Sequence, residues 1–333
     1  MSRMAIASLS LLLLLVSVGI LCAADINVTI KEWDTPGQNA GPHDTEVAPD
    51  GSLWYTGQGN NTLGRLDPKT GKIQVFNLKT PGSGPHGLVT DNDGNVWFTA
   101  NAKGYIGKLD PKTGQVTEYP MPDPAAHDPH TPLFDKEGIL WFTVQGGNLL
   151  GKLDPKTGKV TLKQSPTPRS APYGLRLDSK GDPWYCEFNS NKLAHIDRAT
   201  FEIKEYLLPE GARPRRLAVA PDDRVYYSDH IRGYLGRLDP KTRKVEEWPS
   251  PGGPNSRPYA ILTMSDGIVW YSESNVTPNT LVRFDPKDNS FMKWPIPSGG
   301  GVLRHFVATK DGKQIYIAGS GVNKVGIVDI SRK

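Results

Sequence analysis

Seven residues with usable chemistry stand at matching places along this chain. They are His43, His86, His130, Tyr173, Arg215, Tyr259 and His305, and each opens one of seven similar apolar runs. If the chain closes on itself, the four histidines are consecutive around one centre. Neutral imidazole suits zinc, iron, copper or nickel, so His43, His86, His130 and His305 could together hold a divalent transition metal with positions left open for substrate. The same groups could move protons, with Tyr259 or a carboxylate such as Glu273 assisting. They could also bind a polar small molecule or peptide without reaction, or do no more than close their turns by hydrogen bonding. A second matching place reads Gly57, Ala100, Val144, Glu187, Asp229, Glu273 and Ala318. Its three carboxylates fall opposite the histidines and suggest a mouth with an imidazole half and an acidic half. Tyr173, Arg215, Glu187 and Asp229 are then the substrate-binding candidates, and Arg215 with Arg216 could clamp an anionic group.

The other histidines and the lone interior cysteine point less clearly to chemistry. His127 lies in the loop Pro122-Asp123-Pro124-Ala125-Ala126-His127-Asp128-Pro129-His130 and could reach the same mouth; His230 follows Asp229 and could act beside it; His195 is expected to face outward. Cys186, beside an aromatic pair, reads as a small buried hydrophobe. No Ser-His-Asp signature, phosphate loop or paired-cysteine motif is present.

The elements that must position these residues are set by one repeated stretch. Gly-Lys-Leu-Asp-Pro-Lys-Thr-Gly at 107–114 recurs nearly unchanged at 64–71, 151–158 and 236–243, and more weakly at 194–201, 282–289 and 326–331. Its aspartates, at 67, 110, 154, 197, 239, 285 and 329, are 42–46 residues apart, a period that marks a β-propeller or a similar array. Proline presets φ for the turn and the last glycine can take φ > 0. Each repeat carries four short runs rich in Val, Ile, Thr and aromatics, bounded by Gly, Asp, Asn or Pro, which read as four strands. The second run holds an aromatic pair, from Trp54-Tyr55 to Trp270-Tyr271, weakening to Ile315-Tyr316 in the last copy. Strand side chains alternate, so one of each pair packs against each neighbouring blade. The sequence therefore predicts an all-β, seven-bladed propeller of four antiparallel strands per blade. The seventh repeat lacks an outer strand. Thr29-Ile30-Lys31-Glu32-Trp33 resembles the outer strand Val245-Glu246-Glu247-Trp248, so the N-terminal strand is expected to complete the last blade.

Composition bounds the partners. The 333 residues carry a formal net charge of +4, with 35 glycines and 29 prolines. Lysines sit mainly in the repeated turns, without a basic cluster interleaved with aromatics, so no nucleic-acid footprint is expected. Arg3, the apolar run Leu9–Leu21 and Cys22-Ala23-Ala24 read as a signal peptide over residues 1–24, giving one mature domain over 25–333 in the periplasm or outside the cell. A retained anchor and lipidation at Cys22 are the alternatives weighed; the run is short for a span, and bulky Leu21 precedes the cysteine. After cleavage no membrane contact is expected, and the chain is expected to be a monomer. Asn27, Asn60 and Asn275 begin N-x-Thr sequons, of consequence only in a eukaryotic host. Cys186 is then alone and forms no internal disulfide.

The pattern Pro85-His86-Gly87, Asp93-Gly94, Trp97-Phe98-Thr99, Ile106-Gly107-Lys108 resembles the streptogramin lyase (virginiamycin B lyase) family, over essentially residues 28–333. The resemblance implies a carbon–oxygen lyase that opens a cyclic ester by elimination without adding water. It also implies a divalent metal, usually magnesium, and a proton-transferring histidine that matches His305. Two metal-binding glutamates of the family fall near Leu303 and Gly319, and a second family histidine falls on Tyr259. The chain thus departs from the family at three of those four positions. A non-catalytic propeller that binds a ligand or partner protein through the same face is the alternative.

Overall fold

The computed structural model describes residues 26–332; the expected signal peptide and its cleavage before Asp25 lie outside the described residues. Seven four-stranded antiparallel sheets follow one another around an axis. Blade one runs through Pro42–Val47, Leu53–Gly57, Thr62–Leu66 and Ile73–Asn77, from axis to rim, and blades two to six repeat that order. In blade seven the order is Leu303–Ala308, Gln314–Gly319, Lys324–Arg332 and then the N-terminal strand Ile26–Asp34. That last pairing runs unbroken from Ile26↔Arg332 to Asp34↔Lys324, so the N-terminal strand closes the ring as expected.

The repeated stretch works through two local devices. Asp110 accepts hydrogen bonds from the Lys112 N–H at 2.8 Å and the Thr113 hydroxyl at 3.0 Å, while Gly114 sits at φ 74°. This is an Asx turn ending in a residue freed from Cβ. Its first glycine serves packing: Gly107 lies opposite Phe98, whose ring covers the spot a Cβ would occupy. Gly64, Gly151 and Gly236 do the same under Tyr55, Phe142 and Tyr227. The aromatic pairs divide between neighbours as expected. Phe98 packs with Trp54 and Leu63 of blade one, and Trp97 packs with Leu140, Phe142 and Val144 of blade three.

In blades one, two, three, five and six a hydroxyl after the aromatic pair fastens adjacent inner strands. Thr99 accepts from the Gly87 N–H at 2.9 Å and donates to the His130 carbonyl at 2.7 Å in the next blade. Thr56, Thr143 and Ser228 donate likewise to the carbonyls of His86, Tyr173 and Tyr259. Blade four has Cys186 at this place, buried among Tyr173, Leu193 and Tyr227, as its sequence setting suggested.

Register corrects the reading of blade seven. Between its paired residues Ala308 and Ile315 lies one residue more than between Thr263 and Val269 of blade six. The aromatic pair there is matched by Tyr316-Ile317, not Ile315-Tyr316, and the strand-end place is Gly319, not Ala318. Gly107→Ala is expected to destabilise the protein by about 2–3 kcal/mol, because the new methyl meets a ring fixed between two blades. A urea melt checks this, with Gly114→Ala as the turn-only comparison.

Candidate functional site

Every inner strand carries a bulge at its start, such as that between Pro42 and Thr45 against Leu53–Gly57. A bulge re-aims successive side chains. In blade one it lets both His43 and Asp44 interact across the axis. The result is two axial layers, one at the mouth and one beneath.

The mouth layer holds His43, His86, His130, Tyr173, Arg215 and Tyr259, one from each of blades one to six. In blade seven the place belongs to Arg304, which precedes Phe306 by two residues as Tyr259 precedes Ile261. The sequence reading had put His305 here. The rings overlap like the leaves of an iris: His43–His86, His86–His130 and His130–Tyr173 centroids are 3.8, 3.7 and 3.9 Å apart. The Tyr173 and Tyr259 hydroxyls bond to each other. Arg215 lies 3.9 Å over the Tyr259 ring and donates to His230 Nε2 at 2.8 Å, while Arg304 lies 5.9 Å from the same ring. The imidazoles and phenols are buried, whereas Arg215 and Arg304 stay half-exposed.

The layer beneath contains Asp44, Arg216 and His305. Asp44 Oδ1 receives His43 Nδ1 at 2.9 Å and Arg216 Nη2 at 2.8 Å. Arg216 Nε and Nη1 are buried without a partner among the described residues. His305 takes a bond from Arg176 Nη2 at Nε2, 2.9 Å, and faces the Thr45 carbonyl with Nδ1, 3.1 Å. Burial holds its imidazole down at about 3 and that of His43 at about 4, the latter against the pull of Asp44. His86 and His130 are likewise held well below the usual range by desolvation. Burial alone would raise Asp44, but Arg216, then His305 and His43, hold it well below the carboxylate range. Glu46, deeper in the channel, is pushed up to about 8 by desolvation. At neutral pH the axis is therefore a set of neutral imidazoles among Arg176, Arg215, Arg216 and Arg304, with Asp44 as the fixed anion.

Four expectations change. The acidic half of the mouth does not form, because Glu187, Asp229 and Glu273 hold loops. Glu187 accepts from Ser190 at 2.8 Å, Asp229 pairs with Arg232 at 2.6 Å, and Glu273 accepts from Thr280 at 2.6 Å. His305 is not the fourth member of a histidine ring, and its lone pair is engaged by Arg176. His127 is exposed and bonded to the Ala125 carbonyl, outside the mouth. His230 acts beside Arg215 rather than Asp229. His195 faces outward as expected. Sequence reading missed Asp44, Glu46, Arg176, Arg304 and Phe188, which packs 4.9 Å from Arg215.

The implied metals fit poorly on the axis. Leu303 and Gly319 pair across the last blade, so the two places of the family glutamates do meet, but their side chains offer no oxygen to magnesium. Donor atoms of His43, Asp44 and His86 lie within 4.8 Å of one another, yet the Asp44 oxygen already holds a guanidinium.

These features define a closed propeller with a cationic cluster of side chains on its axis. The chain belongs to the virginiamycin B lyase family, whose description it matches over residues 16–181 and 137–333. The selenomethionine crystal structure of virginiamycin B lyase from Staphylococcus aureus is 26% identical, with a TM-score of 0.83 over 91% of this chain and 99% of that one. A streptogramin B lyase structure is 27% identical, TM-score 0.82, over 92% and 98%. A catalytically inactive histidine-to-alanine variant of the Staphylococcus aureus enzyme with quinupristin matches at 26%, TM-score 0.82, over 91% and 99%. Kuenenia stuttgartiensis hydrazine synthase shares the fold at 14% identity, TM-score 0.73, over 90% and 97%. No curated protein matches in sequence.

Acid sensitivity follows from the buried imidazoles. Unfolded histidines take up protons below about 6.5, whereas His43 and His305 in the fold resist until about 4 and 3. Their contribution is complete above pH 6.5 and is lost as pH falls toward those values. The melting temperature is expected to drop steeply between pH 6.5 and 4, and less steeply in His43→Gln. Glu46 has the opposite sign: its raised pKa lowers stability as pH rises from 4.5 to about 8, and Glu46→Gln is expected to flatten that limb in the same melts.

Proposed function

We propose that this chain is an exported carbon–oxygen lyase whose axial mouth takes a small ester carrying an anionic group. Family membership supports the lyase class. The observation that carries the reading is the chain Arg216–Asp44–His43. Asp44 accepts from His43 Nδ1, which fixes the tautomer and leaves Nε2 without a partner among the described residues, the arrangement of an oriented base. In the elimination, His43 Nε2 takes a proton from the carbon next to the one bearing the ester oxygen. The C–H pair becomes a C=C bond, the C–O pair leaves with the carboxylate, and no water is added. Arg304 and Arg215 are placed to bind the substrate anion and the developing carboxylate. His305, the residue the resemblance favours, sits one layer lower and orients Arg176.

The second reading, a propeller that binds a small anion or partner without reaction, is favoured by the tight closure of the iris: His130 is 1% exposed and Tyr259 is not exposed at all.

Incubation with β-acyloxy carboxylates, and with quinupristin as a ring ester, separates the two. A lyase gives a new alkene absorbance, products whose masses sum to the substrate, and no oxygen from ¹⁸O-labelled water. His43→Gln is expected to lower kcat by about 100-fold or more, and Arg304→Gln to raise KM by about tenfold. Binding that shifts the melting temperature, with no alkene from any ester, overturns the lyase reading in favour of the second. Export is supported by the apolar run Leu9–Leu21, and N-terminal sequencing of the mature protein is expected to begin at Asp25.

A further inference from the structure

Outside the axis, one blade breaks a pattern that its neighbours keep. In blades two and three the second-strand tryptophans, Trp97 and Trp141, donate to Asp91 and Asp135 at 2.8 Å. Lys108 and Lys152 lie 5.3 Å over those rings. Blade four keeps the aspartate, as Asp178, and the tryptophan, as Trp184. It replaces the lysine by His195 and adds a second carboxylate, Asp182, where blade two has Asn95 and blade three has Ile139.

The kept aspartate and the two new side chains converge. His195 Nε2 lies 3.5 Å from Asp178 Oδ2 and 3.6 Å from Asp182 Oδ2, and one donor atom of each lies within 4.8 Å of the others. These separations exceed a normal N–H···O bond of about 2.7–3.2 Å. They are close to the ~3.4 Å edge of a tetrahedron whose metal–ligand bonds are about 2.1 Å. The ligands are also pre-set. Asp178 Oδ1 is fixed by the Lys180 and Asp182 N–H groups at 2.9 and 3.0 Å, its Oδ2 accepts from Trp184 Nε1 at 3.3 Å, and Asp182 Oδ1 is held by the Arg198 N–H at 3.3 Å, so the Oδ2 atoms are the ones turned to the imidazole. The His195 ring packs 4.9 Å from Trp184. Arg198, the one cation in contact, stands 3.7 Å from Asp182 and also serves Glu137. The axial group of His43, Asp44 and His86, by contrast, has Arg216 bonded directly to its carboxylate.

We propose that Asp178, Asp182 and His195 form a site for a divalent transition cation, zinc by its ligand chemistry, on the outer groove between blades four and five. The fourth position opens on a cleft of about 390 Å³ lined by Lys180, Tyr206, Asp222, Asp223, Arg224, Asp239 and Lys241, in which Arg224 pairs with Asp222 and Asp239. A bound cation ties the inner-strand turn to the third strand and leaves one position for water or an anion.

Zinc and cobalt titrations of the purified protein test this, by calorimetry and by the visible bands of cobalt. His195→Lys restores the residue of blades two and three, and Asp182→Asn approximates the Asn95 of blade two, so both are compatible with the fold. One zinc per chain, with intense tetrahedral cobalt bands, is expected in the wild type. Binding at least about 100-fold weaker is expected in each variant, with metal-free melting temperatures unchanged. His43→Gln is expected to bind zinc as the wild type does. Absence of zinc binding in the wild type, full binding in both His195→Lys and Asp182→Asn, or loss confined to His43→Gln would each overturn the site.

Discussion

Closure of the ring is the constraint on which the rest depends. Seven sheets that each twist can meet edge to edge only at a set radius, and that radius is fixed by what separates them. Here the spacer is an aromatic ring lying on a glycine of its own blade, with a second aromatic turned to the other neighbour. The Thr99–His130 clamp and its relatives then hold the inner strands at hydrogen-bond distance from blade to blade. With the walls so set, seven side chains from one register position share a small circle. The stacking of four of them, His43 through Tyr173, at under 4 Å is a result of the blade geometry, and their chemistry is what the sequence was free to choose.

The choice made here is an unusual electrostatic one. Burying arginines is costly unless their charge is met, and Asp44 meets only one corner of Arg216. Burial above all keeps the imidazoles neutral, which lets the tilted rings overlap without mutual repulsion. The axis thereby keeps an excess of positive charge in a place with few internal acceptors. Arg216 Nε and Nη1 find no partner among the described residues, and this distinguishes the axis from Glu273 and Asp229, which are bonded within the chain.

Much of this was legible in the residues. The aspartate spacing gave seven blades, and the likeness of Thr29–Trp33 to Val245–Trp248 gave the closing strand, because both rest on periodicity that a strand cannot hide. The site was legible only in part. His43, His86 and His130 were found by position, but His305 was placed one residue out because it was matched by type. Counting eight residues back from the Asp-Gly turn, as His86 stands before Gly94 and Tyr259 before Gly267, leads from Gly312 to Arg304. Asp44 escaped notice, and Arg216 was read only as a partner of Arg215, because a bulge, which sequence periodicity does not reveal, turns two successive residues toward the axis. Glu187 and Glu273 misled because strand-end carboxylates satisfy loop donors as readily as they line a mouth.

The way the ring is fastened has a mechanical consequence. Ile26 pairs with Arg332 at one end of the outer pair in blade seven, so the two ends of the fold leave side by side. A pull on both ends would peel that pair one bond at a time, as a zipper opens, rather than shear all nine residues at once. The seam is thus easy to open by force from the ends yet hard to open by thermal fluctuation, which must release the whole strand. Because the ends are adjacent, the chain is also close to a circle, and new ends could be cut at an Asp-Gly turn of another blade with the old ones joined. In such a molecule every blade would be continuous except the one chosen, and the seam would become a matter of gene layout rather than of architecture.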